Sequence, residues 1–295
     1  MKSIEDQVSV GGPLVSVVVP SYNHASFIEA CLQSIFAQDY ANKQVIVIDD
    51  GSTDDSRELL QRLQGDYPFK LYVQANQGLL STLNRALALA EGDLFVPIAS
   101  DDVMLPGRLS RQVEHMHSHP QVAICGGNIV PIAENGERLP HKYRHRPARR
   151  LDFRAVFSGT VAGAPAPSMM LRTDVVRNVG GYDETMRIED LLMMLKVTRA
   201  GYFIDVLEDD LAFYRVHDGN MHSRLEFMFD EVLRIYDLYA DDQDYQAVCI
   251  KHFKSYFMKA AKADRRLALK ILRRIPLRSM DLKVLRGVLR MLVKY

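Results

Sequence analysis

Short β-branched runs alternate with amphipathic stretches through the first hundred residues. Val15-Ser-Val-Val-Val-Pro20 reads as a first, central strand. Phe27, Ala30, Cys31, Ser34 and Ile35 then recur at helical spacing and predict a helix over 26–38. Gln44–Asp49 is a second buried strand. The helix after it carries Leu59, Leu60 and Leu63 and takes its cap from Ser52, Thr53 or Asp54. Leu71–Val73 is a third strand. Asn76-Gln77-Gly78 turns into a helix bearing Leu79, Leu83, Ala86, Leu87 and Ala90, which Gly92 closes before a fourth strand at Leu94–Ala99. Such strict alternation predicts an α/β, Rossmann-like, mainly parallel sheet with helices on both faces.

The later chain is less regular. Pro106–His119 reads as a helix with Leu109, Val113 and Met116 inward. Its His115, His117 and His119 lie two residues apart and point to different sides, so solvated histidines rather than a metal cluster are expected. Strands follow at Val122–Cys125, Met169–Leu171 and Phe203–Leu207, and a helix opens on Glu189-Asp190. Between them, Arg138–Arg150 is long, basic and irregular, either a solvated loop or a flap that meets anionic groups. Beyond Ser223 the apolar spacing is helical throughout, and Pro276 divides the last run into two helices. The expected division is therefore an α/β domain over 1–222 and a helical extension over 223–295.

Charge and cysteine content narrow the class. The 295 residues are 47% apolar and 25% charged with zero formal net charge, as in a soluble globular protein and unlike a dedicated nucleic-acid binder. The average conceals an asymmetry, because Lys259–Tyr295 holds twelve Lys/Arg against two Asp. Cys31, Cys125 and Cys249 are widely spaced in apolar contexts, which fits neither a metal motif nor paired disulfides and predicts a reducing, cytoplasmic setting. No run of about 18 apolar residues and no apolar leader occurs, so neither a spanning helix nor a signal peptide is expected.

Chemistry gathers at three strand ends: Ser21-Tyr22-Asn23, Asp49-Asp50 and Ser100-Asp101-Asp102. In an open α/β sheet, ligands sit at the carboxyl ends of the strands. Two adjacent carboxylates with no local Lys or Arg suit a divalent cation carrying a diphosphate; the plainer alternative is that they end a strand and cap the next helix. Neither a Gly-x-Gly-x-x-Gly fingerprint nor a Gly-x-x-x-x-Gly-Lys loop follows the first strand, which disfavours dinucleotide oxidoreductases and P-loop enzymes. Asp49–Asp55 fails as a calcium loop because its glycine is misplaced and no glutamate closes it.

Taken in order, Val15–Asn23, Val47–Asp54, Asn76–Gly78, Ala90–Asp93 and Ser100–Asp102 resemble family 2 inverting glycosyltransferases of the GT-A fold, over most of residues 14–222. The resemblance implies a nucleotide-diphosphate sugar donor and a Mg2+ or Mn2+ ion. It places Pro20, Tyr22, Asn23, Asp50, Gln77, Gly78, Ser100 and Asp101 about the donor. Tyr22 would stack on the base, Asp50 would hydrogen-bond it and Asp101 would meet the ribose; core filler is the other reading of Tyr22. Asp102 would ligate the metal. Tyr214-Arg-Val-His217 resembles the family's closing segment and makes His217 a second ligand, or else a hydrogen bonder of the loop; His222 is expected to be exposed. Gly126-Gly127-Asn128 is expected near the sugar and Ala164–Ser168 at the acceptor. An inverting transfer needs a base for the acceptor hydroxyl; the family's acidic pair assigns it to Asp190 with Glu189 beside it, against plain helix capping.

Ser-Asp-Asp replaces the commoner spaced Asp-x-Asp, and no tryptophan or Gln-x-x-Arg-Trp segment of a processive synthase occurs. The acceptor implied is a glycan or glycolipid of lipopolysaccharide core or O-antigen type, with a hexosyl or rhamnosyl donor. The basic amphipathic tail suits the anionic inner face of the cytoplasmic membrane, or packs as a cap on the body; it lacks the aromatics of a nucleic-acid platform. Two rivals remain. A sugar-nucleotide nucleotidyltransferase would want a Gly-rich basic loop after the first strand. A catalytically silent nucleotide-binding membrane scaffold would not need Asp102 and Asp190 together.

Overall fold

A computed structural model describes residues 12–217 and 224–293 of the chain. Its first half follows the predicted alternation: β1 (Val15–Ser21), α1 (Ile28–Phe36), β2 (Lys43–Asp49), α2 (Ser56–Leu63), β3 (Lys70–Val73), α3 (Leu79–Leu89) and β4 (Leu94–Pro97). These four strands are parallel and stand in the order β3-β2-β1-β4. Residues of period two go to opposite faces. Val15, Val17 and Val19, with Val45 and Val47, therefore pack under Cys31, Leu32 and Leu60, while Val18, Ile46 and Ile48 meet Leu83 and Leu87 on the other face. Every one of these side chains is nearly or fully buried, each contributing on the order of 1.5–3 kcal/mol.

The second half makes the sheet mixed. After β5 (Val103–Met104) and α4 (Arg108–Ser118) come β6 (Val122–Ile132), β7 (Arg149–Leu151), α5 (Phe153–Ser158), β8 (Met170–Arg172), α6 (Thr173–Asn178), α7 (Glu189–Arg199) and β9 (Phe203–Arg215). β8 is antiparallel to both β4 and β6, so it joins the parallel half to the rest. β6 and β9 are far longer than their apolar runs predict, and pair in parallel with register shifts around Gly126–Asn128. Gly126 and Gly127 serve this packing. A Cβ on Gly127 would stand 2.5 Å from Leu211 Cδ1, and one on Gly126 2.8 Å from Ala164 Cβ. Asn128 is buried and donates to the Arg146 and Glu208 carbonyls. All three residues expected near a sugar also hold strands together.

Other basic and histidine expectations also resolve into structure. Arg150 makes a two-pronged contact with Asp205, and Arg149 donates to the Ala162 and Gly163 carbonyls, which anchors the end of the basic loop. His115 bonds Asp205 at 2.8 Å and stacks on His119, so neither is simply solvated; His117 alone is exposed.

Four helices follow: α8 (Leu225–Asp237), α9 (Tyr245–Ala263), α10 (Arg265–Leu272) and α11 (Leu282–Val293). Pro276 sits in the break between the last two. Ile235, Tyr236 and Val248 join the main core, whereas Phe257, Ile271, Val284 and Met291 form a separate cluster with Phe229. The division expected at 222/223, and His222 with it, lies outside the described residues.

One buried cation braces the site from below. Arg108 is fully buried and donates to the Pro167 and Met169 carbonyls and to Gln112 Oε1. Burial lowers its pKa to about 10, opposed by the nearby Asp102 charge. Replacing Arg108 with Met removes the donors and leaves two carbonyls without them. The urea midpoint of Arg108→Met should fall by the equivalent of roughly 2–4 kcal/mol at unchanged slope. An unchanged midpoint would show that water takes over the bonds.

Candidate active site

Parallel neighbours bring the three predicted strand ends side by side. Ser21 lies in register with Asp49, and β4 flanks β1 on the other side. From there the predicted residues fall into linked groups. Asn23 takes a left-handed φ of 54° and its Oδ1 accepts from the Thr53 amide at 2.8 Å, while its own amide donates to Ser52 Oγ. Asp50 is enclosed by donors. Its Oδ1 accepts from Gln74 Nε2 and the Gln77 amide, and its Oδ2 from the Gly78 amide, all at 2.8 Å. Gln77 and Gly78 thus shape the loop through backbone bonds to Asp50. Gly78 has φ 87° with open space where a Cβ would be. Tyr22 is 45% exposed, which fits a presented ring and not core filler. Beneath this rim, buried Ser21 Oγ and Asp49 Oδ1 have no hydrogen-bond partner.

The third strand end is joined to β9. β5 pairs with β9 at Val103 and Phe213, which sets Asp101 and Asp102 against Arg215. The Arg215 amide donates to Asp102 Oδ1 at 2.9 Å, and its Nε donates to the Asp101 carbonyl at 2.9 Å. Its guanidinium also serves the Ala133 and Glu134 carbonyls and lies over the Phe27 ring. His217, stacked on the same ring, contacts Asp101 Oδ2 at 2.9 Å. His24 bonds Ser100 Oγ at 2.7 Å and stands 4.0 Å from Asp101 Oδ1. Among the described residues, the group able to hold a metal is His24, Asp101 and His217, with ligand atoms within 4.8 Å of one another. The resemblance makes Asp102 and His217 metal ligands; His217 contacts Asp101 Oδ2, and Asp102 Oδ1 accepts from the Arg215 amide.

His24 is a member of this group that the sequence motifs do not mark. The available signal was an imidazole directly after Asn23, at a predicted ligand crevice. Burial lowers the His24 pKa, against the pull of the Asp101 charge, which favours the neutral ring that a metal needs. Two imidazoles and a carboxylate form a donor set suited to Mn2+. Burial and the Asp101 charge raise the Asp102 pKa well above the usual carboxylate range, against the Arg215 amide and the two guanidinium charges.

Beside this cluster opens a cavity of about 370 Å³. Pro20, Asp102 and Asp190 line it, whereas Tyr22, Asp50 and the His24 cluster do not. Asp102 and Tyr214 supply polar groups on the sheet side. Glu189 and Asp190, at the start of α7, supply them from the helical side, and Ile98, Ile129, Met169 and Met193 make the walls apolar. Burial, then the Asp190 charge, pushes Glu189 up to about 7. The expected acceptor segment contributes Pro165, Ala166 and Pro167 to the wall, held there by Arg108. A half-buried carboxylate pair in which Glu189 is raised to about 7 can accept a proton from a hydroxyl.

Comparison with known proteins agrees with this geometry. The chain is 28% identical over 214 residues to a glycosyltransferase of Nostoc sp., across 70% of this chain and 66% of that protein. It is 27% identical over 236 residues to Bacillus subtilis TuaG, named for teichuronic acid biosynthesis, across 76% of this chain and 90% of that protein. Its fold is similar to that of the mannosyltransferase PcManGT from Pyrobaculum calidifontis, solved with GDP-Man and Mn2+, with a TM-score of 0.64, 18% identity, and coverage of 97% of this chain and 88% of that one. Residues 16–180, over half of the chain, match Glycosyl transferase family 2. The chain therefore belongs to glycosyl transferase family 2 and is a glycosyltransferase of GT-A fold.

Proposed function

We propose that this enzyme moves a hexose or deoxyhexose, with inversion, from a nucleotide-diphosphate sugar to a hydroxyl of a cell-surface glycan or lipid-linked acceptor. The observation that carries the reading is the cavity that joins Asp102 at its strand end to the Glu189-Asp190 pair across apolar walls. Tyr22, exposed at the rim, stacks on the base. Asp50 fixes the Gln77-Gly78 turn against which the nucleoside rests. Asp101, His24 and His217 hold a divalent cation, Mg2+ or Mn2+, with the acidic Asp102 adjoining them. When bound, that cation offsets the negative charge of the leaving diphosphate.

The protein's own residues supply the rest. Asp190, beside Glu189 at the start of α7, takes the proton of the acceptor hydroxyl as its oxygen bonds to the anomeric carbon and the bond to the diphosphate breaks. Pro165–Pro167 and Met193 exclude water from that step. The apolar walls at Ile98, Ile129 and Met169 accept a sugar face without hydroxyls, which supports a 6-deoxyhexose such as rhamnose. The likeness to TuaG supports a glycan acceptor, and that to PcManGT a nucleotide-sugar donor with a divalent cation. A lipopolysaccharide core or O-antigen glycan is the acceptor we assign.

Asp190→Asn should retain donor binding in calorimetry and lose transfer by roughly a thousandfold or more; normal turnover would remove Asp190 from the mechanism. Asp101→Ala and His217→Ala should abolish the Mn2+-dependent part of nucleotide binding while leaving the metal-free part. Equal Mn2+ dependence in both variants would move the cation elsewhere. Asp190 must be ionised to act, and its neighbour Glu189, raised to about 7, takes up a proton near neutrality and removes the charge beside it. Transfer should therefore fall on the acid side with a limb at about 7. A rate that stays flat down to about pH 5 would exclude the pair as base.

A further inference from the structure

The last helix combines three faces that no described part of the protein accounts for together. Val284, Gly287 and Met291 of α11 turn inward; a Cβ on Gly287 would stand 2.4 Å from the Phe257 ring, so this face is pressed against α9. Leu282, Leu285 and Leu289 recur at i, i+3 and i+7, on one face of a helix, and are 72%, 53% and 61% exposed. Leu277, in the turn before α11, is 85% exposed. Lys283, Arg286 and Arg290 form a third strip directly beside the leucines, all exposed. Among the described residues, no carboxylate pairs with these three. Packing therefore does not use up the apolar character of this helix, since one face builds the small C-terminal core and a second remains outward.

We infer that this outward face of α11, with Leu277, is a docking surface for an anionic phospholipid bilayer. An apolar strip edged by basic side chains is what lets a helix lie in the plane of a membrane, with leucines entering the acyl boundary and cations reaching the headgroups. Charge decides between occupants. Residues 265–293 carry nine Lys/Arg and one acidic residue, Asp281, which Lys254 already holds. Two-fold pairing of this face with a second copy would bring basic strips toward each other, whereas negative lipid would be met by all of them. The inference does not depend on the donor, the metal or the acceptor of the transfer reaction.

The test is co-sedimentation of the full chain with vesicles of phosphatidylcholine alone and of phosphatidylcholine with phosphatidylglycerol. The protein should sediment with the anionic vesicles only and detach as salt is raised. Leu282→Ser/Leu285→Ser/Leu289→Ser should weaken partitioning at least about tenfold. Lys283→Gln/Arg286→Gln/Arg290→Gln should weaken it roughly a hundredfold. Both variants alter exposed side chains, so their melting temperature and donor binding should match the parent. Equal partitioning of parent and variants, or equal binding to neutral vesicles, would overturn the inference. So would an absence of lipid binding together with a dimer that the leucine variant converts to monomer in sedimentation equilibrium.

Discussion

The active site depends on the grip of Arg215 on the Asp101-Asp102 turn. Its amide fixes the Asp102 carboxylate, and its guanidinium ties the Asp101 carbonyl to those of Ala133 and Glu134. This joins the ends of three segments that are far apart in the chain: the turn after β4, the end of β6 and the end of β9. A fully screened contact on the surface would hold such loops weakly. Here Arg215, Asp101 and Asp102 are buried and the guanidinium is planar, so several bonds form at once in one fixed arrangement. Phe27 lies under both Arg215 and His217, so α1 sets the height of the whole assembly.

Holding carboxylates this way costs stability that the rest of the fold supplies. Asp102 is kept in a setting that opposes its charge, and Glu189 and Asp190 are crowded at one helix start. Ser21 Oγ and Asp49 Oδ1 are buried without partners under the same crevice. Each such group opposes folding by roughly 1–3 kcal/mol. The two apolar layers around β1 and β2 offset it, with the braces of Arg108 and of Arg172, which donates to the Val122 and Met116 carbonyls. Unfavourable electrostatics are thus gathered around the crevice, while the layers that carry stability are largely apolar.

Much of the fold was legible because its first half obeys local rules. Period two in Val15–Val19 and Val45–Ile48 feeds two separate cores, and helical spacing in α1–α3 matches one face each. The mixed half was less so. β8 is three residues long and antiparallel, and β9 continues through Glu208, Asp209 and Asp210, where no apolar alternation marks a strand. Those residues are held by pairing with β6, which propensity within the segment cannot report. The packing of the glycines at 126 and 127 is hidden for the same reason: a small residue looks alike whether a ligand or Leu211 fills the space beside it.

The sequence by itself determined that three polar strand ends would stand side by side, since alternation makes the strands parallel and neighbouring. It also determined that an acidic pair would open α7 and that the tail would be basic and amphipathic. Only the tertiary structure decided which of two adjacent aspartates faces His217, because the answer lies in β9, more than a hundred residues away. Only it brought His24 to Asp101, and only it settled that α11 buries one apolar strip and leaves another outward. The physical reason is common to all three. Spacing along a chain fixes which side chains share a face, but what meets that face is set by packing between distant segments.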